Sequence, residues 1–145
     1  MALVWTDLEP GEAAAKLAAV GDPVWTRQFL DELDRAIRTE PLERFVELWG
    51  LSNAGAAKVF GVSRQAFAKW LGSGPPSSRS EAIADISSAT DLLDRFVRRD
   101  RIPAVVRRSA SVLDERSLLE IAEQGESKLV ADTVAAMFDL RRVQP

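Results

Sequence analysis

The sequence predicts an all-α protein, and three observations predict it. Apolar residues recur at three- and four-residue spacings from end to end, period-two alternation with β-branched residues is scarce, and Gly, Pro, Ser and Asp stand where helices would start and stop. At 145 residues the chain is long enough to bury a core without disulfide or metal staples.

The elements follow in order. Residues 12–20 are Ala-rich and stop at Gly21. Asp22 before Pro23 is an N-cap with proline in the first turn, opening a helix whose Trp25, Phe29, Leu33 and Ile37 share one face. Pro41 marks a further helix start, with Leu42, Phe45, Val46 and Trp49 apolar and Gly50 as the stop. Two short helices occupy residues 51–70, separated by Gly61, Val62 and Ser63. Residues 72–80, GSGPPSSRS, are the only segment dense in Gly, Pro and Ser, and read either as a domain linker or, as their shortness favours, as a loop held against the helices on each side.

Beyond that loop a long helix is predicted over 80–99, with Ile83, Ile86, Leu92, Leu93, Phe96 and Val97 on its apolar side. Arg95, Arg98 and Arg99 suit the negative end of its dipole. A single helical turn covers 103–108. Ser117 and Glu120 form a capping box before Leu118, Leu119 and Ile121, and Gly125 closes that helix. Ser127 begins the last helix, with Leu129, Val130, Val134, Met137, Phe138 and Leu140 available for burial. The domain organisation expected is a helical extension over 1–40, a central unit over 41–80 and a C-terminal helical domain over 81–145.

Composition narrows the chemistry. Cys and His are both absent, which removes thiolate nucleophiles, imidazole bases and every Cys/His metal site. The carboxylates are spread at helical spacing with Arg neighbours, the pattern of solvated helix faces. No enzyme activity, cofactor or metal is expected. The start, MALVWTDLEP, lacks the basic region of a signal peptide, and no apolar run approaches a membrane span, so a cytoplasmic protein with no membrane partner is expected.

The net charge of −3 conceals an uneven distribution. Residues 50–80 carry Lys58, Arg64, Lys69 and Arg79 and no acid, whereas residues 1–49 carry five basic and ten acidic side chains. A basic, acid-free segment of this length is where phosphates would be drawn.

That segment also meets the steric demands of a helix-turn-helix. With Asn53 as its first position, Ala57 stands where the two helices cross and only a small side chain fits, and Gly61 stands where the turn needs a positive φ. Ala56, Phe60, Val62, Phe67 and Trp70 fill the inward positions, and Ser63 is the N-cap of the second helix. The outer face of that helix then presents Arg64, Gln65, Ala68 and Lys69. Arg and Gln there can bond guanine and adenine edges in the major groove, Ala68 permits close approach, and Lys69 can reach a phosphate or base. Ser52, Asn53 and Arg79 are placed for contacts to the DNA backbone.

The run GAAKVFGVSRQAFAKW resembles the Xre-type, phage-repressor-like helix-turn-helix. Residues 81–145, with IPAVVRRSASVLDERSLLEIAEQGESKLVADTVAAMFDL, are similar to the C-terminal region of the Xre/MbcA/ParS antitoxin family. Ser117, Leu118, Leu119 and Gly125 match that family's toxin-binding positions, with Ser109, Ala110 and Ser111 where a small segment is expected. The resemblance implies an antitoxin that represses its own operon by binding operator DNA and neutralises an NAD-consuming RES-domain toxin, as a homodimer or larger assembly. The alternative is a stand-alone transcription regulator whose C-terminal helices serve dimerisation.

Overall fold

The computed structural model describes residues 5–139, and among these it is helical with no strand, apart from an isolated antiparallel bridge between Ala110 and Arg116. Leu140, expected on the last helix, lies outside the described residues. The chain divides into two compact units, residues 1–36 and 37–145.

The first unit holds a 3-10 turn, Trp5–Asp7, then α1, Pro10–Val20, and the opening turns of α2, Pro23–Trp49. The Asp22 carboxylate accepts the backbone N–H groups of Val24 and Trp25 at 2.9 Å each, the expected N-cap. Gly21 has φ −88°, so the break after α1 uses extended backbone rather than a left-handed cap.

The helix start expected at Pro41 is absent, because α2 runs on through it. Pro41 has no N–H to give the Ile37 carbonyl one turn back, and the division between the two units falls beside Ile37.

In the second unit the rest of α2 is followed by α3, Asn53–Val59, and α4, Arg64–Ser73. Next come the 3-10 turn Ser77–Arg79, α5, Ser80–Phe96, and a 3-10 turn at Arg99–Arg101. The chain continues through α6, Ile102–Arg107, the 3-10 turn Ser111–Leu113, α7, Leu118–Glu123, and α8, Ser127–Met137. One core joins them all: Leu42, Phe45 and Trp49 of α2, Phe67 and Trp70 of α4, Ile86 and Leu93 of α5, Ile121 of α7, and Val130 and Val134 of α8. The boundary expected at 80/81 therefore does not separate two cores.

Helices α5 and α8 run side by side in the same direction. Asp85 and Ser127 meet near their starts, at 3.4 Å, and Phe96 stacks on Phe138 at their ends, centroids 4.9 Å apart. A parallel pair needs a long connection, and residues 97–126 supply it. Phe96 was expected inside and is instead exposed at the tip of this pair, covered on one side only.

Left-handed glycine caps close α2 and α7. At the end of α2, Leu51 N–H reaches back to the Val46 carbonyl and Gly50 N–H to Glu47, with Gly50 at φ +64°. Glu126 and Gly125 repeat the pattern on Ile121 and Ala122 after α7, which opens with the complete Ser117/Glu120 capping box.

Polar clamps tie these elements together. The buried Trp49 indole donates to Thr90 Oγ1 at 3.0 Å, and the Thr90 hydroxyl donates to the Ile86 carbonyl at 2.7 Å. Arg107 donates to the carbonyls of Trp49 and Gly50, at 2.7 and 3.0 Å, so that a guanidinium from α6 satisfies the negative end of α2. Asp94 on α5 accepts from Arg99 at 2.8 Å and from Arg44 on α2 at 2.6 Å.

Thr90→Val keeps the side-chain shape and strands the Trp49 donor in the core, which should cost about 1–3 kcal/mol in a urea titration. The Arg99 hydrogen bond, with a further one from Arg44, holds the Asp94 carboxyl below the usual carboxylate range despite partial burial. A depressed folded-state pKa contributes stability above the unfolded-state value, and that contribution is lost as pH falls through the folded-state one. Asp94→Asn should therefore flatten the acid side of the stability profile, read by denaturation at stepped pH.

Candidate nucleic-acid interface

The α3–α4 pair is built from its caps inward. Ser52 Oγ accepts the Gly55 N–H at 3.1 Å to start α3, and Ser63 Oγ accepts the Ala66 N–H at 3.0 Å to start α4. Between them Val62 N–H returns to the Ala57 carbonyl at 3.1 Å and Gly61 N–H to Lys58 at 3.2 Å, which is possible because Gly61 takes φ +64°. Nothing lies within 4 Å of where a Gly61 Cβ would stand, so the backbone conformation, not crowding, selects glycine.

The inner side is aromatic. Phe60 packs edge-on against Phe45 at 5.9 Å and lies parallel to Phe67 at 6.2 Å, while Trp70 closes on both Phe60 and Phe67. Ala56, Ala57, Phe60, Phe67 and Trp70 are buried, and Val62 is half-buried against the same core. With Phe67 and Trp70 turned in, Arg64, Gln65, Ala68 and Lys69 are all exposed. Those four positions lie on the outward side of the helical period.

Ser52 is exposed and its hydroxyl is engaged in capping, and Asn53 beside it is half-buried. Lys58 is exposed on α3, an addition to the sequence-derived set that the acid-free segment already contained. Among the described residues no carboxylate pairs with Lys58, Arg64 or Lys69. Their charge is left to solvent or to a partner.

Arg79 is placed differently from the others. Its Nη1 donates to the Phe60 carbonyl at 2.8 Å and its guanidinium carbon lies 6.0 Å from the Trp70 ring centroid. The α3 C-terminus is a negative dipole end, so the guanidinium binds there and fastens the Ser77–Arg79 turn over the α3–α4 junction. It acts on the geometry of the pair. A sequence offers no sign of this, because the carbonyl it seeks is 19 residues away.

The second group of sequence-derived residues divides. Ser117 and Leu118 are buried, at 2% and 3% exposure, the first by capping α7 and the second in the core, so neither offers a surface for direct contact. Leu119 is half-buried against the core. Gly125 is exposed, with φ +80°, and lines a shallow cleft of about 340 Å³ with Gly61 and Arg79.

Comparison with family models, curated proteins and solved structures finds no match to this chain. The geometry of the α3–α4 pair therefore stands by itself.

Three substitutions test how that geometry is held. Gly61→Ala forces a side chain into the left-handed region and should cost roughly 1–2 kcal/mol. Ser63→Ala removes the α4 cap for about 1 kcal/mol. Arg79→Ala should lower the melting temperature while leaving the helical circular dichroism intact, whereas an unchanged melting temperature would show that the Phe60 clamp contributes nothing.

Proposed function

We propose that this chain is a sequence-specific DNA-binding protein in which α3 and α4 act as a helix-turn-helix of phage-repressor type. One observation carries the reading. The outward face of α4 presents Arg64, Gln65, Ala68 and Lys69 with no carboxylate from Gly50 to Ser80, while its inward face is locked by Phe67 and Trp70. A rigid helix with unpaired bidentate donors on its first turn is what major-groove reading requires.

In this reading Arg64 and Gln65 address base edges, Ala68 lets the helix approach, and Lys69 with Lys58 neutralises phosphates. Ser52 and Asn53 meet the sugar-phosphate backbone, and Ser63 orients α4. Arg79 supports the turn rather than touching DNA.

The family resemblance extends the proposal to a repressor that is also an antitoxin, with residues 81–145 engaging a RES-domain toxin. The exposed Phe96 and Met137 at the α5–α8 end favour a protein partner there, because large apolar side chains grouped at a surface are costly to leave in water. Without such a partner the same α3–α4 pair describes a stand-alone regulator.

Selection from a random duplex library, followed by titration against single-base variants at fixed salt, tests the DNA reading. Arg64→Ala and Gln65→Ala should each relax discrimination at one or two base pairs by about 1–3 kcal/mol, and Lys69→Ala should weaken all duplexes alike and reduce the salt slope by about 1. Equal losses on selected and random duplexes for the first two would refute base reading. Co-expression with the adjacent reading frame tests the antitoxin extension, which requires a stable co-purifying complex that Phe96→Asp disrupts.

A further inference from the structure

Arg38 meets the α3–α4 pair from outside the acid-free segment. It stands on α2 one turn before Pro41, and because α2 continues through that proline, Arg38 rides on the same helix as the buried Leu42, Phe45 and Trp49. Its guanidinium lies against Gly74, the residue that ends α4. From where a Gly74 Cβ would stand, Arg38 Cζ is 3.3 Å away and Nε and Nη1 are each 3.5 Å away. Three near-equal distances from one point place the flat face of the guanidinium, rather than its edge, over the glycine. Any side chain at position 74 would strike that face.

The contact stands at the negative end of the α4 dipole. Gly74 N–H closes the last turn on the Trp70 carbonyl at 2.8 Å, and the carbonyls after Trp70 have no helical partner, so a cation is favoured there. Helix α2 thus holds the pair at two places, with Phe45 against Phe60 before the turn and Arg38 against Gly74 after α4. Between them α4 is pinned by the buried Phe67 and Trp70. Two side chains one turn apart fix where the middle of a helix lies, but its tilt is left to what holds its ends. With a rise of about 1.5 Å per residue, a tilt of about 10° around Phe67 and Trp70 moves Arg64 by about 1 Å, beyond the roughly 0.5 Å within which a recognition group must be held.

The geometry points to Arg38 as a positioning residue of the proposed DNA interface: it sets the tilt of α4, and through it the placement of Arg64 and Gln65 on base edges, without touching DNA. The inference rests on the DNA reading. It also takes the unit that reads DNA back beyond residue 41, where the sequence places its start.

Arg38→Ala and Arg38→Lys in the full chain, titrated at stepped salt and well below the melting temperature against a selected duplex, its single-base variants and a random duplex, decide it. The lysine keeps the charge at the helix end and loses the flat face. Both variants should bind the selected duplex about tenfold more weakly and discriminate less at the base pairs that Arg64 and Gln65 read, with random-duplex affinity and salt slope as in the wild type. Arg35→Ala, which removes the same charge one turn earlier on α2, should alter none of these. Amide exchange gives a readout that needs no DNA: the Gly74 N–H should exchange faster in both Arg38 variants. Unchanged exchange there, or wild-type discrimination in both variants, would overturn the positioning role and leave the DNA reading intact. Equal losses on every duplex with a salt slope reduced by about 1 would make Arg38 a phosphate contact and overturn it as well. A wild type that selects no sequence would condemn the DNA reading itself, and the positioning role with it.

Discussion

The indole of Trp49 is fully buried where α2 ends, and its N–H has a single partner, the Thr90 hydroxyl on α5. A buried donor must be satisfied, so the position of α5 against α2 is fixed to within hydrogen-bond tolerance. The carbonyl of the same residue is held by Arg107, which brings α6 to the same point, and Phe45 packs edge-on against the indole at 4.9 Å. Three helices are thus referred to one residue. Phe45 in turn touches Phe60, the last residue before the α3–α4 turn. The orientation of the exposed α4 face is inherited through that chain of rings from the end of α2.

This arrangement divides a single short helix into a buried face that carries stability and an exposed face to which the proposed function assigns recognition. Phe67 and Trp70 hold α4 by burial, and neither depends on what Arg64, Gln65 or Lys69 does. The outward residues are consequently free to differ in chemistry without disturbing the core, the condition for a surface that discriminates between sequences. The acid content of the chain is kept elsewhere. Glu40, Glu43 and Glu47 lie on α2, and Asp94 is neutralised by Arg44 and Arg99.

What could be read from the sequence was what is decided locally. The Asp22, Ser63 and Ser117 caps, the Gly61 turn and the inward set Ala56, Phe60, Phe67 and Trp70 depend on neighbours within a few residues, and the structure has them as the spacing predicts. The exposure of Arg64, Gln65, Ala68 and Lys69 followed from the same periodicity. Pro41 misled because proline propensity is a local preference that burial of Leu42 and Phe45 on the following turn outweighs. Arg79 was read as a contact to the DNA backbone because its partner, a carbonyl 19 residues away, is set by tertiary packing, while Ser117 and Leu118 were read locally as a cap and an apolar position and were given a toxin-binding role by the family resemblance alone. The apolar stripe of Trp25, Phe29 and Leu33 was legible as a stripe, but periodicity does not show that all three stay exposed.

The parallel run of α5 and α8 bears on how the protein is made. The neighbours α3 and α4 can form their turn as soon as residues 53–73 leave the ribosome, because their contacts are close in sequence. Ile83, Ile86 and Leu93 must wait for Val130 and Val134, across the whole of residues 97–126, and the entropy of closing that loop falls on a chain already partly ordered. During synthesis the basic α4 face therefore precedes a finished core. A nascent chain halted within residues 97–126 would carry that face on a scaffold whose α5 surface is still open to other apolar chains, which makes this interval the period of greatest exposure to chaperones and to aggregation.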